Sequence, residues 1–315
     1  MKALMKPMHV ADSHRAGMLP GQVEETGPQP TTPTEHGRLS RVGRPWSGED
    51  PVKLSILMPV YNEERTVASV ARALLACDYP CEIELIIVDD GSVDRTPLLI
   101  AQLSDPRVKS YRHPRNFGKG SALLTAAQLA GGTHILPFDA DLEYLASDIP
   151  RLLAPVLEGR CDVVYGSRLF GVNTVYQSYR YAMGNKLTTL AANLLFDAHL
   201  SDMHTCLKLV PLRLFRSLHL RSAGFGLDTE MTAGLLRLGI RPFEIPVTYH
   251  SRSHAEGKKL TWHDGVGCLA ILSRVRFARA PRLPAELAAA AGTLREARSV
   301  TLGGHPGEPA STGAA

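Results

Sequence analysis

Ile135-Leu136-Pro137-Phe138-Asp139-Ala140-Asp141-Leu142-Glu143 decides how this chain is read. An apolar run of the kind that fills a buried parallel strand ends abruptly in two aspartates one residue apart, with a third carboxylate two residues on. Gathering acids at one buried strand tip is expensive in desolvation. The cost becomes tolerable when a divalent cation sits between them and a phosphate-bearing ligand. Mg2+ or Mn2+ takes one or two protein carboxylates and completes its shell with phosphate oxygens and water. The stretch therefore reads as a metal-diphosphate site on Asp139 and Asp141. A bare Asp-x-Asp is more often a solvated turn, and it is the preceding strand and the motifs on either side that favour the site.

Working outward, the same plan recurs upstream. Lys53 to Val60 reads as a strand whose far end carries Tyr61-Asn62-Glu63-Glu64, with Asn62 as N-cap of a helix that puts Val67, Val70, Ala71, Leu74 and Leu75 on one face. Ile83 to Val88 is a second buried run, ended by Asp89-Asp90-Gly91-Ser92. A helix from about Arg95 and a weak strand around Val108 to Tyr111 follow. Asn116-Phe117-Gly118-Lys119-Gly120 opens a helix through Ala130, and Thr133 to Phe138 is the strand ahead of the acids.

Downstream come a helix near Asp148 to Leu157 and a strand Asp162 to Tyr165 ending in Gly166-Ser167-Arg168, then a longer helix over 176–200. Asp202 to Lys208 precedes a strand or short helix. Phe225-Gly226-Leu227-Asp228-Thr229-Glu230 opens a helix to about Leu238, and Phe243 to Tyr249 is a further strand. His250 to Leu260 is a polar, basic loop, and an amphipathic segment, Trp262 to Phe277, carries Arg274, Arg276 and Arg279 at its end. Strands alternating with helices imply right-handed crossovers and a mostly parallel sheet, in which ligands collect at the carboxyl ends of the strands. The clusters at Tyr61 to Glu63, Asp89-Asp90 and Asp139 to Glu143 should then converge on one crevice.

Composition sets the outer bounds. A chain of 315 residues with 44% hydrophobic content can fill one sizeable α/β core, or two small ones with little to spare. The reading is a disordered segment over 1–50, one domain over 51–280 and a largely disordered tail over 281–315. Thirty-five Lys plus Arg against 31 Asp plus Glu argue against a nucleic-acid partner. Cys77, Cys81, Cys161, Cys206 and Cys268 are scattered and odd in number, which fits free thiols in a reducing cytoplasm. No apolar stretch is long enough to cross a bilayer and the N-terminus has no signal-peptide pattern. The expected location is cytoplasmic, either soluble or peripheral on the cytoplasmic face of a membrane.

Six motifs in order, Pro59-Val60-Tyr61-Asn62-Glu63, Val88-Asp89-Asp90-Gly91-Ser92, Asn116-x-Gly118-Lys119-Gly120, Asp139-Ala140-Asp141, Gly166-Ser167-Arg168 and Glu256-Gly257-Lys258-Lys259-Leu260, resemble the family 2 glycosyltransferases with the GT-A fold. Within them the chain is similar to the dolichyl- or polyprenyl-phosphate mannose and glucose synthases, over roughly residues 53 to 265. The resemblance implies a nucleoside pocket lined by Pro59, Tyr61, Glu63 and Asp90, with Asp89 shaping the strand end. Gly118 and Gly120 would let backbone N–H groups at a helix start approach phosphate, Lys119 adding a point charge. The alternative for Tyr61 and Glu63 is ordinary loop packing and helix N-terminal charge, and a plain loop accounts for the Gly-Lys-Gly run equally well.

Sugar transfer from a nucleoside diphosphate passes an oxocarbenium-like state and loads charge onto the departing diphosphate. A cation on Asp139 and Asp141, with Glu143 as a third candidate ligand, would meet that charge, helped by Arg168 and Lys119. A phosphate acceptor is already anionic and needs cationic clamps more than a base. Arg252, Lys258 and Lys259 suit that clamp, or are a solvated basic loop. Asp228 and Glu230 keep a saccharide acceptor of the cell envelope open, since the wider family uses an acid here as base; both could instead cap a helix. A non-catalytic nucleotide-binding scaffold is the third reading.

The sequence also departs from the polyprenyl-phosphate synthases. Glu143 stands where an amide often follows, Thr205-Cys206-Leu207-Lys208 replaces a Ser-Gly-Phe-Arg type of run, and no membrane helices follow. A lipid acceptor would be reached from the membrane surface, with Trp262 to Arg279 either contacting it or packing on the core.

Overall fold

The computed structural model describes residues 51–168, 174–175, 179–251 and 262–278. The expected tails over 1–50 and 281–315 lie outside them, as does the basic loop with Arg252, Lys258 and Lys259. β1 (Lys53–Val60) and β2 (Glu82–Asp89) are eight-residue runs that pair parallel from Lys53 opposite Glu82 to Val60 opposite Asp89. Alternation along β1 divides the core. Leu54, Ile56, Met58 and Val60 face α1 (Val67–Ala76) and α4 (Ile149–Leu157); Leu57 faces α3 (Lys119–Leu129), α6 (Leu212–Ser217) and α7 (Gly226–Arg237). α2 (Thr96–Ala101) leads to β3 (Val108–Arg112), the mostly exposed edge strand beyond β2.

β4 (His134–Pro137) pairs parallel with the other side of β1 and is buried throughout. β7 (Lys208–Pro211) then enters antiparallel between β4 and β5 (Val164–Ser167), and β8 (Phe243–Pro246) closes the sheet parallel to β5. The order is β3-β2-β1-β4-β7-β5-β8, with β7 alone reversed. This reversal has a consequence for the site. The C-terminal ends of β1, β2, β4 and β5 share an edge with the start of β7, so Lys208 lies among them. α5 (Tyr179–Phe196) and α8 (Trp262–Phe277) pack with α7 around a smaller apolar cluster that includes Ala192, Phe196, Leu236 and Leu272.

The mostly parallel α/β sheet with flanking helices is as the sequence pattern predicts, with two local differences. Asn62 is not an N-cap. It sits at φ 54°, accepts the Val93 N–H on its Oδ1 and donates its own N–H to Ser92 Oγ, tying the end of β1 to the loop after β2 while α1 starts only at Val67. The strand expected over Phe243 to Tyr249 breaks after Pro246. Its last residues form β9 (Tyr249–His250), which pairs with β6 (Thr174–Val175).

Candidate active site

The first strand ends build the floor. Pro59 is buried within β1, and Tyr61 and Glu63 lie half-buried just beyond it. Asp89 accepts the Ser92 N–H at 2.9 Å and pairs with Arg112 at 3.1 Å. Asp90 takes the N–H groups of Phe117 at 3.0 Å and Gly118 at 2.7 Å and faces His113 Nδ1 at 2.7 Å. Both acids thus hold loops in place, and Asp90 fixes the start of α3.

That start is closely crossed by another segment. Gly118, at φ 99°, and Gly120 lie so close to residues 222–224 that a Cβ would fall 2.5 Å from Ala223 O or 2.3 Å from Ser222 O, and the Ser121 N–H already donates to Ala223 O. The two glycines permit a backbone crossing. Their neighbour Lys119 reaches the site instead, its Nζ 2.8 Å from both Asp139 oxygens. Burial works against the ammonium, but Asp139, with Asp228 adding, raises its pKa well above the ordinary value.

Beyond β4, Leu142 takes φ 64°, a conformation costing an L-residue about 1–2 kcal/mol. The turn lets the Glu143 N–H donate to Asp141 Oδ1 at 3.1 Å. The Glu143 carboxylate accepts the Tyr249 hydroxyl at 2.7 Å, and its carbonyl accepts the His250 N–H. Among the described residues no three His, Cys, Asp or Glu side chains gather as a metal cluster, so the expected third ligand, Glu143, does not complete a set with Asp139 and Asp141. Two hard carboxylates, one already drawing a cationic group, still fit Mg2+ or Mn2+, whose remaining positions phosphate and water fill.

On the far side Arg168 grips Asp202 through Nε at 2.6 Å and Nη2 at 2.8 Å, and stacks 4.9 Å from the Tyr249 ring centre. Asp202 is fully buried and also takes Asn185 Nδ2 at 2.9 Å. Lys208, equally buried, donates to Thr205 O and lies 3.3 Å from Asp228 Oδ1. Burial pushes the Asp228 carboxyl up, yet Lys208 and then Lys119 hold it below its usual value. Asp139, Lys119, Asp228 and Lys208 therefore alternate in sign behind the aspartate pair.

Glu230, paired with Asp228 in the sequence reading, is occupied elsewhere. It accepts the N–H groups of Arg221 at 2.9 Å and Ser222 at 2.8 Å, and its other oxygen takes Arg274 at 3.0 Å. It braces the loop that crosses Gly118 and Gly120. Glu230→Gln is expected to lower the melting temperature by several degrees, through about 1–3 kcal/mol of weakened charged hydrogen bonding, with kcat changed only a few-fold; thermal melts beside initial rates check it.

Sequence reasoning missed Lys208, Tyr249, Asn185 and His204. A lone lysine opening the apolar run Lys208-Leu209-Val210-Pro211 was the available signal for the first. His204, in the loop before β7, shares a hydrogen bond between its Nε2 and Thr188 Oγ1 at 2.7 Å. Burial, then Lys208, lowers its pKa from 6.5 to about 4. Between those values the unfolded chain binds the proton and the folded one does not, so stability should fall as pH drops through that window. His204→Gln should flatten that part of a melting-temperature profile.

The sequence profile described as Glycosyl transferase family 2 matches residues 55–218. The chain belongs to that family. It is similar to the low-salt glycan biosynthesis hexosyltransferase Agl6 of Haloferax volcanii, 30% identical over 205 residues, covering 63% of this chain and 48% of that protein. It is also similar to the undecaprenyl-phosphate 4-deoxy-4-formamido-L-arabinose transferase of Proteus mirabilis, 34% identical over 144 residues, covering 44% of each. The chain spans about half the length of these relatives. Among solved structures, glucosyl-3-phosphoglycerate synthase from Mycobacterium tuberculosis, in complex with Mn2+, UDP and glucosyl-3-phosphoglycerate, superposes with a TM-score of 0.52 at 21% identity. The match covers 74% of this chain and 82% of that one, and shows a common fold. Among the described residues no helix is long and apolar enough to cross a membrane.

Proposed function

We propose that the chain is a metal-dependent, inverting glycosyltransferase that moves a hexose from a nucleotide sugar of the GDP-mannose or UDP-glucose type to a polyprenyl phosphate. The observation that carries this reading is the Asp139–Asp141 pair beyond β4, with Lys119 on Asp139 and the buried Lys208 on Asp228. Asp139 and Asp141 would hold Mg2+ or Mn2+, which when bound supplies Lewis-acid charge for a leaving diphosphate. The nucleoside side falls to Pro59, Tyr61, Glu63, Asp89 and Asp90. Asp89 and Asp90 act by holding the 112–118 loop.

In the reaction an acceptor oxygen bonds to the anomeric carbon as the bond to the diphosphate breaks, inverting that carbon. Lys119 would follow the growing charge on the diphosphate, and Arg168, oriented by Asp202, would add to it. Two points support a phosphate acceptor over a sugar hydroxyl. A phosphate needs no base, and Asp228, the candidate base, is held charged against Lys208 with its pKa lowered, which weakens it for proton abstraction. The Proteus relative is named for an undecaprenyl-phosphate reaction. Arg252, Lys258 and Lys259 are proposed to clamp the acceptor phosphate.

Incubation with labelled GDP-mannose or UDP-glucose, Mg2+ or Mn2+ and a short-chain polyprenyl phosphate should give organic-extractable label. Label passing only to saccharide would establish the envelope-saccharide reading, and nucleotide binding with no transfer to any acceptor would establish a scaffold.

A further inference from the structure

α5 is built inside out. Asn185, Thr188 and Thr189 point inward, onto Asp202, His204 and one another, while Tyr179, Met183, Leu187, Leu190 and Leu194 line the outward face at helical spacing. Leu187 is 62% exposed and Leu194 76%, where a helix on a protein surface ordinarily shows polar groups. Along its flank lies α8, with Ala191 and Leu195 of α5 and Val275 of α8 packed against one apolar cluster. Its own outward face carries Val266, Leu269 and, 78% exposed, Phe277. An apolar surface spread over two helices marks an interaction site.

Charge names the occupant. α5 carries the exposed Lys186 and no acid, and α8 ends in Arg276 and in Arg274, which Glu230 pairs, with Asp264 as its one acid. Arg276 Nε donates to Leu195 O, fixing the two helices to each other. Leucines along a stripe with cations beside it match the acyl boundary and anionic headgroups of a bilayer. A two-fold pair of copies would instead press like charges together.

We infer that the outward faces of α5 and α8 form one membrane-docking surface that seats the chain on an anionic leaflet. This deepens the proposed reaction by naming where a lipid phosphate is met, and it rests on that reading only for its purpose.

Flotation of the full chain with phosphatidylglycerol-phosphatidylcholine vesicles tests it. The parent should float. Leu187→Glu with Leu194→Glu should weaken partitioning by about tenfold or more, with an unchanged circular dichroism spectrum and unchanged transfer to a water-soluble short-chain acceptor. Lys186→Glu should weaken binding a few-fold, and only on the anionic vesicles. A parent that stays at the bottom, a double variant that floats equally well, or a solution dimer split by Leu187→Glu would each overturn the inference. A parent that floats yet labels no lipid defeats the reaction and leaves the surface standing; one that labels lipid in detergent without floating does the reverse.

Discussion

Asp141→Asn is expected to lower kcat by about a thousandfold or more while leaving the fold intact. The substitution keeps the shape and removes one of the two charges that would hold a divalent cation. Lewis-acid stabilisation of this kind is worth several kcal/mol, and about 4 kcal/mol is a thousandfold. Asp141 Oδ1 accepts the Glu143 N–H at 3.1 Å, a bond that an amide oxygen can also accept, so the turn at Leu142 should persist. Mn2+ titration with nucleotide present, followed by paramagnetic resonance, should show the loss of affinity directly. Asp139→Asn should behave differently, because it also releases Lys119 from its 2.8 Å pairing. Near-parental turnover in Asp141→Asn, with Mn2+ affinity intact, would remove the aspartate pair from the reaction.

The strand ends were legible because they rest on strong local signals. Residues 135–138 are apolar enough to be buried wherever they sit, and the alternation in β1 sends Leu54, Ile56, Met58 and Val60 to one side and Leu57 to the other. What the sequence could not show is which groups the tertiary fold spends on one another. Asp90, Glu143 and Glu230 read as acids free for a ligand, and each meets backbone or hydroxyl donors. Gly118 and Gly120 read as a phosphate loop or a plain one, and their lack of a side chain also serves a crossing by residues more than a hundred positions away. Lys208 escaped notice because only the antiparallel entry of β7 brings a strand's first residue to the edge where the others finish.

Asp202→Ala should destabilise the protein by about 3–5 kcal/mol, the penalty for leaving a buried partner charge uncompensated. Arg168 is only 11% exposed and Asp202 is wholly buried, so water cannot replace the lost carboxylate. Arg168→Ala should cost a similar amount, and the double variant less than the sum, because neither charge is then stranded. The pH dependence follows from the same pair. Burial pushes the Asp202 carboxyl up, but Arg168 outweighs it and holds the group well below its usual range. The contribution is therefore present above the unfolded value of about 4 and is lost as acid approaches the lower folded value. Acid unfolding of the parent should steepen below about pH 4, beneath the window assigned to His204. Asp202→Asn, which keeps an acceptor for Arg168 but cannot titrate, should be less stable at neutral pH and lack that steepening. Activity should fall with stability here, since a guanidinium released from Asp202 and from the Tyr249 ring is no longer held in one orientation. Equal melting temperatures for the parent and Asp202→Ala would mean that this pair carries neither burden.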